Sequence, residues 1–250
     1  GPVIKDKTFF FGSLQRWTAR LLGSGATISG APTEAGRAAL QSIASTRPTV
    51  RALLENLPAG TANGQSRTVV ADGRTLTIPL GDITGAAAGK FDDWQYSGRV
   101  DHRFNDKHNL MGRYIVDDST SSGQGQATPA GLTTVAPQRS RSVIGALTSS
   151  LRPTLLNDLR VSYNRYVSSS NAENPAVAER IPSIEITDLG IRQFNSGPAR
   201  TGIGLAANLP SATIINGYQF QDSLAVIRAS HSFKFGIDLR EGYGLTEAAP

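Results

Sequence analysis

The stretch that most limits how this chain can fold is Trp94 to Asp118, WQYSGRVDHRFNDKHNLMGRYIVDD. A short polar turn, Asn105-Asp106-Lys107-His108, separates two runs of alternating character. In the first, Tyr96, Gly98, Val100, His102 and Phe104 share one face, and Gln95, Ser97, Arg99, Asp101 and Arg103 share the other. In the second, Leu110, Gly112, Tyr114 and Val116 oppose Asn109, Met111, Arg113, Ile115 and Asp117. Side chains alternate along a strand, so period two predicts a β-hairpin with one apolar and one polar face. The two faces require different solvents.

The pattern recurs. Thr8 to Trp17 is a candidate first strand, rich in Phe. Val143, Gly145, Leu147, Ser149 and Leu151 alternate with Ser142, Ile144, Ala146, Thr148 and Ser150, turn at Arg152-Pro153-Thr154, and continue as Leu155, Leu159, Val161 and Tyr163 against Asp158, Arg160, Ser162 and Asn164. A last hairpin sets Phe220, Leu224 and Val226, then Phe233, Phe235, Ile237 and Leu239, against Gln219, Gln221, Lys234, Asp238 and Arg240. Between the hairpins lie long irregular segments, 18–90, 119–139 and 167–217. Within the first, Thr33 to Ser45 and Thr46 to Asn56 predict short helices, each opening on a Thr. Arg67 to Pro79 predicts a small hairpin about Asp72-Gly73, a favoured two-residue turn.

Every second connection is short. If successive strands are antiparallel neighbours, all short turns fall at one end of the sheet and all long loops at the other. Transmembrane barrels of the outer-membrane type sort their connections in this way, whereas a Greek-key sandwich has no reason to. The expected fold is therefore all-β: a partial antiparallel up-and-down transmembrane β-barrel of about seven strands from a larger barrel. It would have short periplasmic turns and long extracellular loops containing short helices.

Composition is compatible with this. Hydrophobic residues make up 39% and mean hydropathy is −0.21. No run approaches the roughly 20 apolar residues of a spanning helix, but barrel strands alternate and average out as polar. Without cysteine there can be no disulfide framework or thiolate metal site. The formal charge of +5 does not predict nucleic-acid binding, because Arg and Lys are spread and interleaved with Asp rather than gathered in a stripe. The opening Gly1-Pro2-Val3 reads as an internal piece of something longer.

Period two alone leaves a soluble barrel and a membrane barrel open. The aromatic positions favour the second. Tyr96 and Phe104 end the apolar face of one strand, and eight residues at about 3.3 Å, tilted about 40°, span roughly 20 Å, near the height of a lipid band. Tyr163 and Tyr243 toward the loop end, with Phe233 toward the turn end, fit paired aromatic girdles. The charged face would then line the lumen, with Arg99, Asp101, Arg103, Arg113, Asp158, Arg160, Lys234, Asp238 and Arg240 as the candidates for plug contact or a ligand path. Cross-strand ion pairs are their expected structural role.

Catalytic and metal signatures are not apparent. His102, His108 and His231 lack ligand spacing. Gly202-Ile203-Gly204-Leu205-Ala206-Ala207 mimics a dinucleotide fingerprint outside any βαβ context. Asp92-Asp93 and Asp117-Asp118 read as solvated strand-end acids. No enzyme and no cofactor are expected.

GPVIKDKTFFFGSLQRW resembles the segment where the barrel begins in TonB-dependent outer-membrane receptors, especially the Oar-like group. The resemblance extends to YSGRVDHRFNDKHNLMGRY, LLNDLRVSYNRY and NGYQFQDSLAVIRASHSFKFGIDLR, in the family's order. It departs at Leu14-Gln15, where the family more often has Tyr-Glu. The resemblance implies a barrel of about 22 strands with a plugged lumen, ligand binding on external loops and plug, and import powered through the TonB complex. On that basis residues 1–7 are a plug-to-barrel linker and 8–250 the N-terminal portion of the barrel. The implied partners are outer-membrane lipid, the protein's own plug domain, the TonB complex and an unidentified ligand. The alternatives are a surface-binding or structural outer-membrane barrel without active transport, and a soluble β-rich binding module.

Overall fold

The computed structural model describes residues 1–21, 26–85, 88–124, 133–181, 184–185, 202–203 and 209–248. In chain order the first elements are β1 (Pro2–Ile4), β2 (Thr8–Leu21), β3 (Ala26–Pro32), α1 (Glu34–Gln41), α2 (Pro48–Asn56), β4 (Thr61–Ala71) and β5 (Arg74–Gly85). There follow β6 (Gly89–Arg103), β7 (His108–Gln124), β8 (Thr134–Arg152), β9 (Leu155–Ala172), α3 (Pro175–Ala178), β10 (Ile184–Glu185), β11 (Gly202–Ile203), β12 (Ser211–Arg228) and β13 (His231–Ala248).

The principal sheet is an antiparallel meander, β1-β2-β6-β7-β8-β9-β12-β13, with seven long strands and the three-residue β1 at one edge. It is open, not closed on itself. The turns between β6 and β7, β8 and β9, and β12 and β13 are two to four residues long and lie at one end of the sheet. Local chemistry makes them. Asn105 Oδ1 accepts from the backbone N–H groups of Lys107 (2.9 Å) and His108 (3.0 Å), an Asx turn. Neighbouring turns are also stitched together, with Arg103 N donating to Lys7 O (2.7 Å), Ser150 N to Lys107 O (2.8 Å) and Ile227 N to Thr154 O (2.9 Å).

Register fixes the two faces. Phe10, Val100, Gly112, Gly145, Val161, Phe220 and Leu239 form one continuous cross-strand row. Rows on either side add Leu110, Leu147, Leu159, Ile237, Tyr114, Val143, Tyr163 and Tyr218 to the same face. Among the described residues nothing covers it: Val100 is 44%, Val161 49%, Leu239 56% and Phe235 62% exposed. In a water-soluble fold those side chains would share a dry interior. A contiguous apolar face of this extent demands an apolar solvent.

The strands run well beyond the alternating stretches. β8 has 19 residues, β9 and β12 have 18. At about 3.3 Å per residue and about 40° tilt, 19 residues rise roughly 45 Å, nearly twice the ~25 Å apolar band of a membrane barrel. Parts of 119–139 and 167–217, read as irregular from sequence, are therefore ladder: β7 continues to Gln124, β8 begins at Thr134, β9 reaches Ala172 and β12 begins at Ser211. Above the lipid both faces meet water, so backbone hydrogen bonding continues after side-chain alternation has stopped. The residues 125–132, 182–183, 186–201 and 204–208 of those segments lie outside the described residues.

The true core is in the first long connection. β3, β5 and β4 form a separate three-stranded sheet, covered by α1, against which α2 packs. Leu40, Ile43, Leu53, Leu57, Ile78 and Leu80 close its interior, and Ile181, from the segment after α3, joins them. Both helices and the hairpin fall where sequence predicts, with Thr33 capping α1 by accepting from Gly36 N at 3.2 Å. β3 was not anticipated. Its ATISGAP carries too little periodicity to announce a strand.

Candidate functional site

On the face opposite the apolar band, register gathers all nine charged candidates into adjoining rows at the short-turn end. Arg99, Arg113 and Arg240 share one row with Phe11, Ile144, Ser162 and Gln219. Asp101, Arg160 and Asp238 share the next, Arg103 and Asp158 the one after, and Lys234 lies two residues further along β13. Toward the loop end this face loses its basic residues: Ser13, Ser97, Ser142 and Asn164 form one row, Gln15, Gln95 and Ser140 share the next with Asp117, and Asp93 follows. The basic charge is thus a floor to the concave side, not a general lining.

The ion pairs run along strands, not across them. Arg99 holds Asp101 through Nε (2.8 Å) and Nη2 (2.7 Å). Arg160 Nε meets Asp158 at 2.6 Å, and Arg240 Nη2 meets Asp238 at 2.9 Å. Each joins residues two apart on one strand, which corrects the expectation of cross-strand bridges. The reason is reach: i and i+2 lie on the same face, and an arginine folds along its own strand onto that carboxylate. Cross-strand contacts come from amides and hydroxyls instead. Asp238 accepts from Gln219 Nε2 (2.9 Å) and Gln221 Nε2 (3.1 Å), and Asp158 from Thr148 Oγ1 (3.1 Å). These neutral partners share the alternating parity and were legible; which strand they would meet was not.

Arg103 is held by Asp106 in the turn. Arg113 and Lys234 close no ion pair or hydrogen bond among the described residues, so the floor carries an excess of positive charge. An open concavity of about 610 Å³ includes Arg99, Asp101, Arg103, Asp158 and Arg160, together with Asp6 and Lys7 from the first turn. A second, of about 550 Å³, continues from Asp158 and Arg160 to Lys234 and Asp238. Asp6, Lys7 and Phe9 are contributors that the sequence reading did not single out. They enter because β1 folds back on β2 at the sheet edge, pairing Pro2 with Phe9 and Ile4 with Thr8.

The other singled-out groups resolve differently. His102 pairs with Thr8 Oγ1 (2.8 Å) and His108 with Ser149 Oγ (2.9 Å), both on the apolar face near the short turns. Asp92 bridges to Arg20 at 2.9 Å. Asp93, expected to be solvated, is only 3% exposed and accepts from Gln95 Nε2 at 3.0 Å, the same nitrogen that reaches Asp117 at 3.1 Å. The long strands carry Asp93 and Asp117 on the polar face of the sheet, where they sit on neighbouring strands and share Gln95. Among the described residues no three His, Asp or Glu side chains form a metal-binding group. Gly202-Ile203 pairs with Ile184-Glu185 in a two-residue ladder, and Gly204 to Ala207 lie outside the described residues.

Tyrosines mark the loop-side edge of the apolar band. Tyr96, Tyr114, Tyr163, Tyr218 and Tyr243 occupy two adjacent rows, with ring centroids 5.0 Å apart for Tyr163–Tyr218 and 6.5 Å for Tyr218–Tyr243. Phe10, Phe220, Phe233 and Phe235 populate the turn side. Tyrosine has an apolar ring and a wet hydroxyl, the combination suited to a lipid–water boundary.

An uncovered apolar band with an aromatic rim, a polar inner face and connections sorted by length define a transmembrane β-barrel wall of the outer membrane. The model of the family described as "Outer membrane beta barrel domain" matches residues 1–245, and the chain belongs to that family. Comparisons with curated proteins and with solved structures each found no match. The protein is therefore placed in the cell outer membrane, in contact with its lipid.

Proposed function

We propose that the chain is the opening part of the barrel of a TonB-dependent outer-membrane receptor, which takes up a ligand with energy delivered from the periplasm. The observation that carries this reading is the charged floor at the short-turn end, directly beside Asp6 and Lys7. A plug domain arriving through residues 1–7 would meet Arg113, Lys234 and the Arg–Asp pairs there, and an acidic plug surface would neutralise the excess. Further strands would cover the two open edges, since unpaired backbone groups cost several kcal/mol each in lipid, by order of magnitude. The role is one of binding and transport, without catalysis.

A surface-binding barrel without transport is the second reading, favoured by the folded module of β3–β5, α1 and α2 on the external side. One experiment separates the two. A photo-crosslinking amino acid replaces Arg113 or Lys234 in the full-length protein, and outer-membrane extracts are passed over immobilised periplasmic TonB domain. The receptor reading expects an intramolecular crosslink to a segment upstream of the barrel and retention on TonB. No crosslink and no retention would leave the surface-binding barrel.

A further inference from the structure

The lipid-facing side of β8 and β9 holds a pair of arginines with no acid to balance them. Arg141 and Arg165 are direct cross-strand partners. Like charges placed opposite one another on one sheet face are destabilising unless something neutralises them. Among the described residues Arg165 Nη1 donates only to the neutral Asn216 Oδ1 (2.9 Å), an oxygen also bonded by the Tyr163 hydroxyl (2.9 Å). Arg141 is exposed and makes no hydrogen bond or ion pair among the described residues. One row outward, Arg139 forms an ion pair with Asp118 (3.7 Å), so the nearest acid is already engaged. In that row Arg16 stacks over the Trp94 ring at 4.8 Å, which leaves its N–H edge free. Glu241, the other acid at this height, is on β13 and accepts from the Tyr243 hydroxyl.

Depth identifies the occupant. Arg141 and Arg165 lie two residues beyond Val143 and Tyr163, in the outer of the two tyrosine rows, where Tyr96 and Tyr243 mark the lipid–water boundary. That is the level of lipid head groups on the external side, and the face below is continuous apolar surface for acyl chains. Guanidinium groups bind phosphate in bidentate fashion, and a lipid offers phosphate and chains at once.

We propose that Arg141 and Arg165, flanked by Arg139, seat the phosphate of a phosphorylated lipid in the outer leaflet. The site is on the outer wall, and it rests on the family assignment, not on transport.

The test uses the full-length protein reconstituted in phosphatidylcholine vesicles, with or without diphosphoryl lipid A, comparing wild type with Arg141→Gln/Arg165→Gln. Lipid A should raise the thermal unfolding temperature of the wild type, and the double variant should lose that rise. Lipid A phosphate retained through purification should fall at least about tenfold, the loss of one good charge-assisted contact. In phosphatidylcholine alone the variant should be no less stable, because removing opposed charges relieves repulsion. Dephosphorylated lipid A and inorganic phosphate should not reproduce the shift. An equal shift in both proteins, or an equal shift from either control, overturns the proposal. If the Gln variant does not insert, Arg141→Lys/Arg165→Lys should keep part of the lipid A response; a loss confined to plain phosphatidylcholine would instead mean a structural role and overturn it.

Discussion

The seven-stranded wall and the module between β2 and β6 are made of the same kinds of residue turned in opposite directions. In the module Leu53 and Ile78 are 1% and 0% exposed, and polar side chains face out. In the wall Phe235 and Leu239 are more than half exposed, while Arg99, Asp101 and Arg160 face inward. The module folds by removing apolar surface from water. The wall cannot gain from that term within its own chain, and its apolar face waits for lipid. Hydrophobic patterning reports which side is apolar; the solvent decides whether that side is inside.

The sharpest contrast comes from truncating one buried and one outward apolar side chain in the full-length protein. Ile78→Ala should destabilise the module by about 2–5 kcal/mol, the cost of a core cavity. Hydrogen exchange should show it, with the wall's amides unchanged. Phe235→Ala should cost far less, since lipid fills the space. Equal protection losses at both sites would break the comparison.

Adjacent residues of β9 give the next test. Val161→Arg puts a charge in the middle of the band and should cost about 2–4 kcal/mol in urea unfolding from vesicles. Ser162→Arg, one residue on and facing the lumen, should be close to neutral. A reversal would mean the faces are assigned the wrong way round.

Smaller again is Gly36→Ala. An added Cβ would stand 2.3 Å from Pro79 O, so α1 must lift from β5 at a cost of about 1–3 kcal/mol. Faster proteolysis of the module, with unchanged membrane insertion, is the expected readout.

The smallest effect concerns pH. Asp72, at the tip of the β4–β5 turn, accepts from Thr46 Oγ1 (2.8 Å) and Arg47 Nη2 (3.1 Å), and these bonds hold its carboxyl below the ordinary 3.8. Its contribution is complete above that ordinary value and is lost as pH falls through the lowered one. Module proteolysis should be flat from pH 7 to 5 and rise only under stronger acid. Asp72→Asn should remove that acid step and leave the wall untouched.

Much of this was legible. Alternation in Trp94 to Asp118 and its counterparts located every long strand of the wall, because facing two solvents imposes period two. Thr33 and Asp72-Gly73 marked α1 and the hairpin, because caps and tight turns are local chemistry, whereas α2 opens on Arg47 and Pro48 and not on the expected Thr46. Strand ends were not legible, since above the lipid the ladder no longer needs an apolar side. Nor were the partners of Asp238, the seat of Asp93 or the opposed Arg141 and Arg165, all of which depend on register between segments far apart in sequence.

By itself, then, the sequence determined which residues share a face, where the short turns fall and that the charged candidates have one parity. Those are consequences of backbone geometry within a few residues. Tertiary structure alone decided that the charges form a floor with along-strand pairs, that the first loop encloses a core joined by Ile181, and that two arginines meet on the lipid side. Register is a long-range choice, set by the summed fit of whole strands, and no single stretch of sequence contains it.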